Sequence, residues 1–226
     1  LPQYAYEHIY IDNASTDQTI PILRKLAEND KTVKVILNAR NFGHIRSPYY
    51  GLLQANGDVV ISMSSDLQDP PALIVEFIKK WEEGFKIVMA IKSSSQESKI
   101  IYSLRTFYYK LLKRLSDVQL IENFTGFGCY DRKIIEILKE MNDPYPYFRG
   151  LIADIGFPAA RIEFQQPKRN KGKTKNNFYT LFDMAMLGFT NSTKIPLRLA
   201  TMFGFFSATV SFLIGSFYLV YKLLNW

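Results

Sequence analysis

The chain has 226 residues, of which 47% are hydrophobic and 15% aromatic, and it carries a formal net charge of +7. This length allows one hydrophobic core of ordinary size with an appended segment. The positive charge suits an anionic partner but does not distinguish among nucleic acid, nucleotide and acidic lipid. Cys129 is the only cysteine, which excludes an internal disulfide and a cysteine zinc cluster and indicates a reducing or at least disulfide-free context.

Strands and helices alternate along the first 92 residues. Short apolar or alternating runs predict strands near residues 7–12, 33–38, 58–64 and 86–91. Helical periodicity predicts helices in the gaps, near residues 19–30, 45–55 and 71–83. Prolines lie near two helix starts and glycines near two helix ends, at Pro21, Pro71, Gly57 and Gly84. The alternation predicts βαβ units, and therefore an α/β fold with a mostly parallel, Rossmann-like sheet.

Three polar loops follow the carboxyl ends of predicted strands, at residues 13–18, 39–44 and 65–69. Parallel strands end at one edge of a doubly wound sheet, and open α/β sheets bind their ligands at that edge. We therefore expect the three loops to converge in a single crevice.

The pattern changes after residue 92. A polar loop at 93–98 precedes a basic, aromatic amphipathic helix at 99–116. Further runs predict a strand at 124–130, a helix at 131–141 and a strand at 158–166. From Asn177 onward, apolar residues recur on one helical face, at Phe178, Leu181, Phe182, Ala185, Met186 and Phe189. This stripe suits either core packing or an amphipathic helix at a membrane interface, and the sequence leaves both open.

Residues 199–221 form an uncharged apolar run that is long enough to cross a bilayer. A buried helix of a soluble protein is the alternative, but the glycines, the aromatic residues and Trp226 at the far edge favour a transmembrane helix over 197–222. Basic residues before this helix outnumber the single Lys222 after it, which predicts a main domain in the cytoplasm and a span in the cell (inner) membrane. The chain begins without an initiator methionine and ends soon after the span, so we expect it to be truncated at both ends.

Oxygen-bearing side chains follow the third predicted strand, at Asp66, Gln68 and Asp69. The plain interpretation is a cap for the next helix, for which Asp69 alone would suffice. The alternative is a cation site, since hard oxygen ligands at the end of a buried strand suit a phosphate-bound divalent cation.

This segment resembles the metal-binding motif of inverting family 2 glycosyltransferases, in the branch that includes dolichol-phosphate mannose synthase and bacterial polyprenyl-phosphate glycosyltransferases. The resemblance implies that Asp66 and Gln68 hold Mg²⁺ or Mn²⁺ and that Ser65 and Asp66 contact a nucleotide sugar. Many relatives have an Asp-x-Asp triplet where this chain has Ser64 and Asp66. The missing carboxylate implies weaker metal binding or a larger share from Gln68 and the diphosphate oxygens.

The segment 11–19 closes the first predicted strand. A capped helix start is one interpretation, with Asp17 as the N-cap. Asp12 and Asn13 are not needed for capping, and their oxygens could read a nucleobase edge and a ribose. The string is similar to the nucleotide-binding motif of the same family, which implies contacts to the nucleotide sugar from Asp12, Asn13, Ser15 and Asp17.

Two later segments are less specific. Residues 38–44 suit a turn, but family members have a similar Arg-Asn-x-Gly string, which implies that Arg40 faces the donor base or diphosphate; His44 is interpreted as structural. Residues 123–132 have Gly126 where related enzymes often have an acidic acceptor-site residue, and we expect its backbone to approach the ligand closely. Asp154 suits either a solvent-facing helix position or the acceptor pocket, which this part of the chain borders in the family.

The basic segment 167–177 suits a solvated loop or a nucleic-acid tract, but nucleic acid does not account for the adjacent span. The segment resembles the Arg-x-x-Gly-x-Ser-Lys loop that precedes the membrane helices of polyprenyl-phosphate glycosyltransferases. The resemblance implies that Arg169 and Lys175 clamp diphosphate and lipid phosphate.

Together the motifs predict a GT-A-like domain over 1–166, a basic loop and juxtamembrane helix over 167–196, and the span. The resemblance implies transfer of a sugar from a nucleotide diphosphate to a polyprenyl phosphate (undecaprenyl or dolichyl), with inversion. Asp66, Arg169, Lys175 and Asp154 are the candidate catalytic residues. Two alternatives stay open: transfer to a hydroxyl of a glycan or glycolipid, with Asp154 as base, or a membrane-tethered protein that binds nucleotide sugar with little turnover. A homo-oligomer is compatible with the sequence, which does not specify the sugar or the base.

Overall fold

The computed structural model describes residues 3–93, 121–167 and 178–225. The predicted helix at 99–116, most of the loop at 93–98, and Arg169 and Lys175 lie outside this part of the chain. The described strands are β1 (His8–Asp12), β2 (Val33–Leu37), β3 (Val59–Ser62), β4 (Ile87–Lys92), β5 (Phe124–Asp131) and β6 (Ala159–Phe164). The described helices are α1 (Thr19–Asn29), α2 (Gly43–Leu53), α3 (Leu73–Glu82), α4 (Arg132–Met141), α5 (Phe148–Asp154), α6 (Phe178–Ser192) and α7 (Ile195–Leu224).

The strands form a parallel β1–β2 pair and a four-stranded sheet of order β3-β5-β4-β6. In the second sheet β5 runs antiparallel to both β3 and β4, whereas β4 and β6 are parallel. Strands β3, β4 and β6 therefore share one direction, and β5 opposes them. The predicted α/β class with a mostly parallel sheet is confirmed. The antiparallel insertion of β5 is a feature that local periodicity does not reveal, because it depends on which strand β5 pairs with.

The two faces of this sheet pack against different helices, as alternation along β4 shows. Ile87 and Met89 belong to a buried cluster with residues of α2 and α4, whereas Val88 and Ala90 pack with Phe77 of α3. Cys129 lies in the second cluster, and burial raises the pKa of its thiol to about 12. The only cysteine is therefore a packing residue, not a nucleophile.

Two predicted helix starts differ from the structure. The helix predicted at 71–83 begins only at Leu73, and its N-cap residue Ala72 makes no side-chain cap. Asp69, the predicted cap, instead accepts a hydrogen bond from the backbone N–H of Ser64 at 2.8 Å. The capping interpretation of Asp69 is wrong, because its carboxylate turns back to close the loop behind it.

The first helix begins at Thr19 with Gln18 as its N-cap residue, so the predicted cap, Asp17, lies one position before the observed one. The Asp17 carboxylate still accepts from the N–H of Thr19, at 2.9 Å. The second helix begins at Gly43, two residues earlier than predicted. The third ends as expected, with Gly84 at a φ of 101° just beyond it.

Helices α6 and α7 lie at the carboxyl end. The segment Leu197–Leu224 is long and apolar enough to cross a membrane, and none of it is buried inside the protein. On α6, Leu181, Phe182 and Met186 are exposed. These three residues of the predicted apolar stripe are therefore not enclosed in the core.

Candidate functional site

Strand β1 ends in a sharp turn built around Asp12. The side chain is buried, and one carboxylate oxygen accepts from the N–H of Ser15 at 2.9 Å. Ala14 has a φ of 61°, a left-handed conformation that ordinary residues rarely adopt. Among the described residues only Ser15 bonds to this carboxylate, so its second oxygen stays available to a ligand.

Asn13 joins the loop after β1 to the loop after β2. Its amide nitrogen donates to the side-chain oxygen of Asn41 at 2.8 Å and to the carbonyl of Gly43 at 3.1 Å. Its amide oxygen accepts from the N–H of Phe42 at 2.8 Å and from the amide of Asn38 at 3.3 Å. The structure therefore brings the first two predicted polar loops together through one side chain.

The loop after β2 and the first turns of α2 place two cations at one aromatic ring. The guanidinium of Arg40 lies 4.1 Å from the ring centroid of Phe42, and that of Arg46 lies 5.8 Å from it. Arg40 also donates to the carbonyl of Asn41 at 3.3 Å. Within the described part of the chain, neither arginine has a carboxylate partner. Two guanidiniums at one aromatic ring, without a carboxylate partner among the described residues, suit an anionic ligand. Arg46 was not singled out from the sequence, because its position in α2 indicates only a surface residue.

The loop after β3 holds the predicted metal ligands. One oxygen of the half-buried Asp66 accepts from the N–H of Gln68 at 3.1 Å. The side-chain nitrogen of Gln68 donates to the carbonyl of Pro167 at 3.3 Å. The side-chain oxygen of Gln68 takes no part in this bond. Ser64 and Ser65 are exposed. This loop is therefore held next to the beginning of the basic segment.

These oxygens fit a divalent cation only together with a substrate. Among the residues that the structure describes, no three His, Cys, Asp or Glu side chains are grouped to hold a metal by themselves. Mg²⁺ is commonly bound by one or two carboxylates plus substrate phosphates, and Asp66 with the Gln68 oxygen matches such a partial set. The donor chemistry fits Mg²⁺ or Mn²⁺ bound jointly with a diphosphate.

A polar network lies at the junction of β5 and α4, and it was not predicted from the sequence. Asp131 caps α4 by accepting from the N–H of Lys133 at 3.0 Å, and it also accepts from Trp81 and Lys86, both at 2.8 Å. Arg132 donates to the carbonyls of Ala55 and Gly57. Burial raises the pKa of Asp131, but the bonds from Lys86, Trp81 and Lys133 outweigh it and hold the pKa below its usual value.

Glycines in β5 are required by packing within the protein. A Cβ on Gly128 would lie 2.4 Å from the carbonyl oxygen of Val88, and one on Gly126 would meet the ring of Phe148 at 3.3 Å. Gly126 also has a φ of 98°. Contacts with β4 and with α5, together with the positive φ of Gly126, therefore already explain the glycines that the sequence suggested as a close approach to a ligand.

The predicted acceptor-side residues are not drawn into these clusters. Asp154 is exposed at the end of α5, and none of the described residues pairs with it. Arg149 donates to the carbonyl of Phe124 at 3.4 Å and lies 5.6 Å from the ring centroid of Tyr147. The roles of the predicted site residues stay predictions.

Comparisons with known proteins agree with the motifs. The model of the family "Glycosyl transferase family 2" matches residues 1–138. An uncharacterized glycosyltransferase of Bacillus subtilis is 32% identical over 92% of this chain and 65% of its own length. The bactoprenol glucosyl transferase of Shigella phage SfV is 31% identical over 97% of this chain and 72% of its own length. The solved structure of S. aureus TarS 1–349 is 19% identical with a TM-score of 0.38, over 74% of this chain and 49% of that chain. The chain thus spans about two thirds of the length of the two relatives, and it belongs to glycosyl transferase family 2.

Proposed function

We propose that this protein transfers a sugar from a nucleotide diphosphate to a polyprenyl phosphate in a membrane, with inversion at the anomeric carbon. The observation that carries the proposal is the order of parts: a family 2 domain over residues 1–138 is followed, at Leu197–Leu224, by an exposed apolar helix of membrane-spanning length. Relatives that align with 96% and 97% of this chain are named as a bactoprenol glucosyl transferase or its homolog. An acceptor held at the bilayer surface accounts for both features.

The donor occupies the loops after β1, β2 and β3 in this proposal. Asp12 offers a buried carboxylate oxygen for a nucleobase or ribose hydroxyl, and Arg40 offers an unpaired guanidinium for the base or diphosphate. Ser15, Asp17, Ser65 and Asp66 complete the proposed nucleotide-sugar site, and Asn13 lies in the same turn as Asp12. Asp66 and Gln68 would hold Mg²⁺ or Mn²⁺ against the diphosphate, where the cation compensates the charge of the leaving group.

The acceptor needs no general base. A phosphate monoester is largely ionised at neutral pH, since its second pKa is about 6. One of its oxygens attacks the anomeric carbon as the bond from that carbon to the nucleoside diphosphate breaks, and the leaving diphosphate takes the bonding electrons. The protein then has only to align the two substrates and stabilise charge. Asp154 is exposed, and no described residue pairs with it. This suits a reaction without a general base better than transfer to a sugar hydroxyl, for which Asp154 would have to act as the base.

The membrane geometry follows from charge. Lys194 and Arg198 lie at the start of α7, whereas Lys222 is the only basic residue in its last turn. With the basic segment before them, they favour a cytoplasmic catalytic domain and an inner-membrane span. Helix α6, with its exposed Leu181 and Phe182, would lie along the same surface.

A reconstituted assay tests the proposal. The full chain in liposomes receives radiolabelled UDP-glucose or GDP-mannose, together with undecaprenyl phosphate or a phosphate-free glycolipid. We expect label to enter the lipid phase only with undecaprenyl phosphate. Transfer to the glycolipid alone would establish the hydroxyl-acceptor alternative, and nucleotide binding without any transfer would establish the binding protein.

The basic segment offers a second test of the acceptor. Replacing Arg169 and Lys175 together by Ala should lower turnover with little effect on stability, because changes at surface positions usually stay within about 0.5 kcal/mol. Arg169→Lys should rescue poorly if the guanidinium makes two parallel bonds to phosphate. Wild-type turnover of the double variant would reject the clamp and leave these residues a general attraction to anionic lipid, about 1 kcal/mol each.

A further inference from the structure

We propose that Asn13 is a positioning residue that acts on the donor through Arg40, not a residue that touches the donor itself. This inference rests on the proposed function and deepens it, because it makes the position of Arg40 depend on the hydrogen bonds of Asn13. The motif alone suggests the opposite, that the Asn13 amide reads the nucleobase or ribose.

The hydrogen-bonding capacity of Asn13 is already used. An asparagine side chain has two N–H donors and an oxygen with two lone pairs. Both donors are engaged, with Asn41 and Gly43, and the oxygen accepts twice, from Phe42 and Asn38. A direct contact with a nucleotide would require the protein to break one of these bonds, which would offset most of the gain.

The bonds of Asn13 converge on the residues that hold Arg40. Asn13 binds the backbone N–H of Phe42, and the ring of Phe42 lies 4.1 Å from the Arg40 guanidinium. Asn13 also binds the side chain of Asn41, and the carbonyl of Asn41 accepts from Arg40 at 3.3 Å. Asn41 in turn accepts from the N–H of Gly43 at 2.8 Å, so the whole turn is closed around Asn13.

Arg40 needs such support for a physical reason. Its side chain is long and exposed, and Arg46 brings a second positive charge to the same ring. Fixing a long side chain costs conformational entropy, and two nearby cations repel each other. A turn that is held from β1 lets Arg40 meet a diphosphate in a prearranged position, which improves donor affinity without a direct contact from Asn13.

Two substitutions of Asn13 separate the indirect role from the direct one. Asn13→Ala removes all four bonds and should raise the KM for UDP-glucose about tenfold, equivalent to about 1.4 kcal/mol. Asn13→Asp keeps the two accepted bonds but places a carboxylate oxygen against the acceptor oxygens of Asn41 and Gly43, so its KM should also rise above that of wild type. If Asn13 instead accepted directly from ribose hydroxyls, an aspartate there would bind the donor at least as well as wild type, and that result would overturn the proposal.

A double-mutant cycle with Arg40 measures the connection. If Asn13 acts through Arg40, then Asn13→Ala should raise the donor KM far less in an Arg40→Ala background than in wild type. Equal fold-changes in both backgrounds would show independent contacts and reject the proposal.

Two controls separate positioning from general damage. Tyr49→Phe removes a buried hydrogen bond to the carbonyl of Leu138, away from the turn, and should lower stability while leaving the donor KM unchanged. Amide hydrogen exchange should become faster at Phe42 and Gly43 in Asn13→Ala but not in Tyr49→Phe; unchanged exchange would overturn the proposal. Absence of transfer by the wild-type protein would reject the proposed function and with it this role, whereas wild-type transfer with an unaltered KM in Asn13→Ala would reject this inference alone.

Discussion

Two carboxylates lie near the two ends of strand β3, in different surroundings. At its amino end Val59 pairs with Asp131, a buried carboxylate that accepts from Trp81, Lys86 and Lys133. Beyond its carboxyl end lies Asp66, which is half-buried and sits in a short polar loop. The two sites are separated by only a four-residue strand.

This difference separates a structural carboxylate from a candidate catalytic one. Three donors, one of them the Lys86 ammonium, saturate Asp131, so it can contribute to stability but has little capacity left for a ligand. Asp66 lies where open α/β sheets bind their ligands, beyond the carboxyl end of a strand. The five predictions that follow test this division and the loops beside it, from the largest expected effect to the smallest.

The largest expected effect is on catalysis at the carboxyl end. Asp66→Asn should lower transfer about 100-fold or more while the protein stays folded, because the diphosphate charge loses its compensation. Activity should also disappear with chelator and return with Mg²⁺ or Mn²⁺, as measured in the liposome assay. Asp143→Asn is a matched control, since Asp143 accepts from Tyr145 two residues on, as Asp66 does from Gln68. Full wild-type activity in excess chelator would contradict the assignment.

The next effect is on stability at the amino end. Asp131→Ala should lower the free energy of unfolding by about 3 kcal/mol, because it removes a helix cap and two hydrogen bonds to a charged group. Thermal unfolding of the detergent-solubilised chain, followed by the fluorescence of Trp81, measures it. The donor KM of the folded variant should equal that of wild type; a raised KM would show that the two ends are coupled.

The same carboxylate sets a dependence on pH. The pKa of Asp131 is lowered in the folded protein, so its stabilising contribution is complete above the unfolded value, about 3.9. This contribution is lost as the pH falls through the lowered folded value. Wild type should therefore lose more stability than Asp131→Ala below about pH 4, and parallel pH profiles would contradict this account.

A smaller effect is expected on donor binding. Asp12→Ala should raise the dissociation constant for UDP-glucose about tenfold without changing acceptor binding, because a buried carboxylate oxygen no longer meets the nucleotide. Calorimetry measures both. Asp30→Ala is the control, since Asp30 closes a comparable turn by accepting from Thr32 at 2.9 Å, at the other end of β2. Unchanged nucleotide affinity would reduce Asp12 to a turn-forming residue.

The smallest effect is a gain. Ala14→Gly should stabilise the protein by about 0.5–1 kcal/mol, because glycine adopts the observed φ of 61° without the penalty of a Cβ atom. Ala72 has a φ of −58°, so Ala72→Gly should instead lower the free energy of unfolding, by about 0.5 kcal/mol or less. Thermal unfolding of both variants gives the comparison, and destabilisation by Ala14→Gly would contradict the role of the left-handed turn.

Local patterns were enough to predict most elements. The α/β class, the β1 to β4 strands and the apolar helix at the carboxyl end all follow from periodicity and composition, which act over a few neighbouring residues. Helix starts were less predictable: Asp69 has the composition of a cap, but its carboxylate closes the loop toward Ser64. The hydrogen-bond partner of such a side chain depends on which backbone groups surround it, and the local sequence pattern does not contain that information.

The sequence by itself determined the family motifs, and through them the kind of chemistry that we propose for residues such as Asp66 and Arg40. Only the tertiary structure decided how those residues are used. It directs all four bonds of Asn13 to a turn 25 to 30 residues away, and it inserts β5 antiparallel so that Asp131 lies beside Trp81 and Lys86. The physical reason is that hydrogen-bond saturation depends on contacts between segments distant in sequence, which come together only when the sheet assembles.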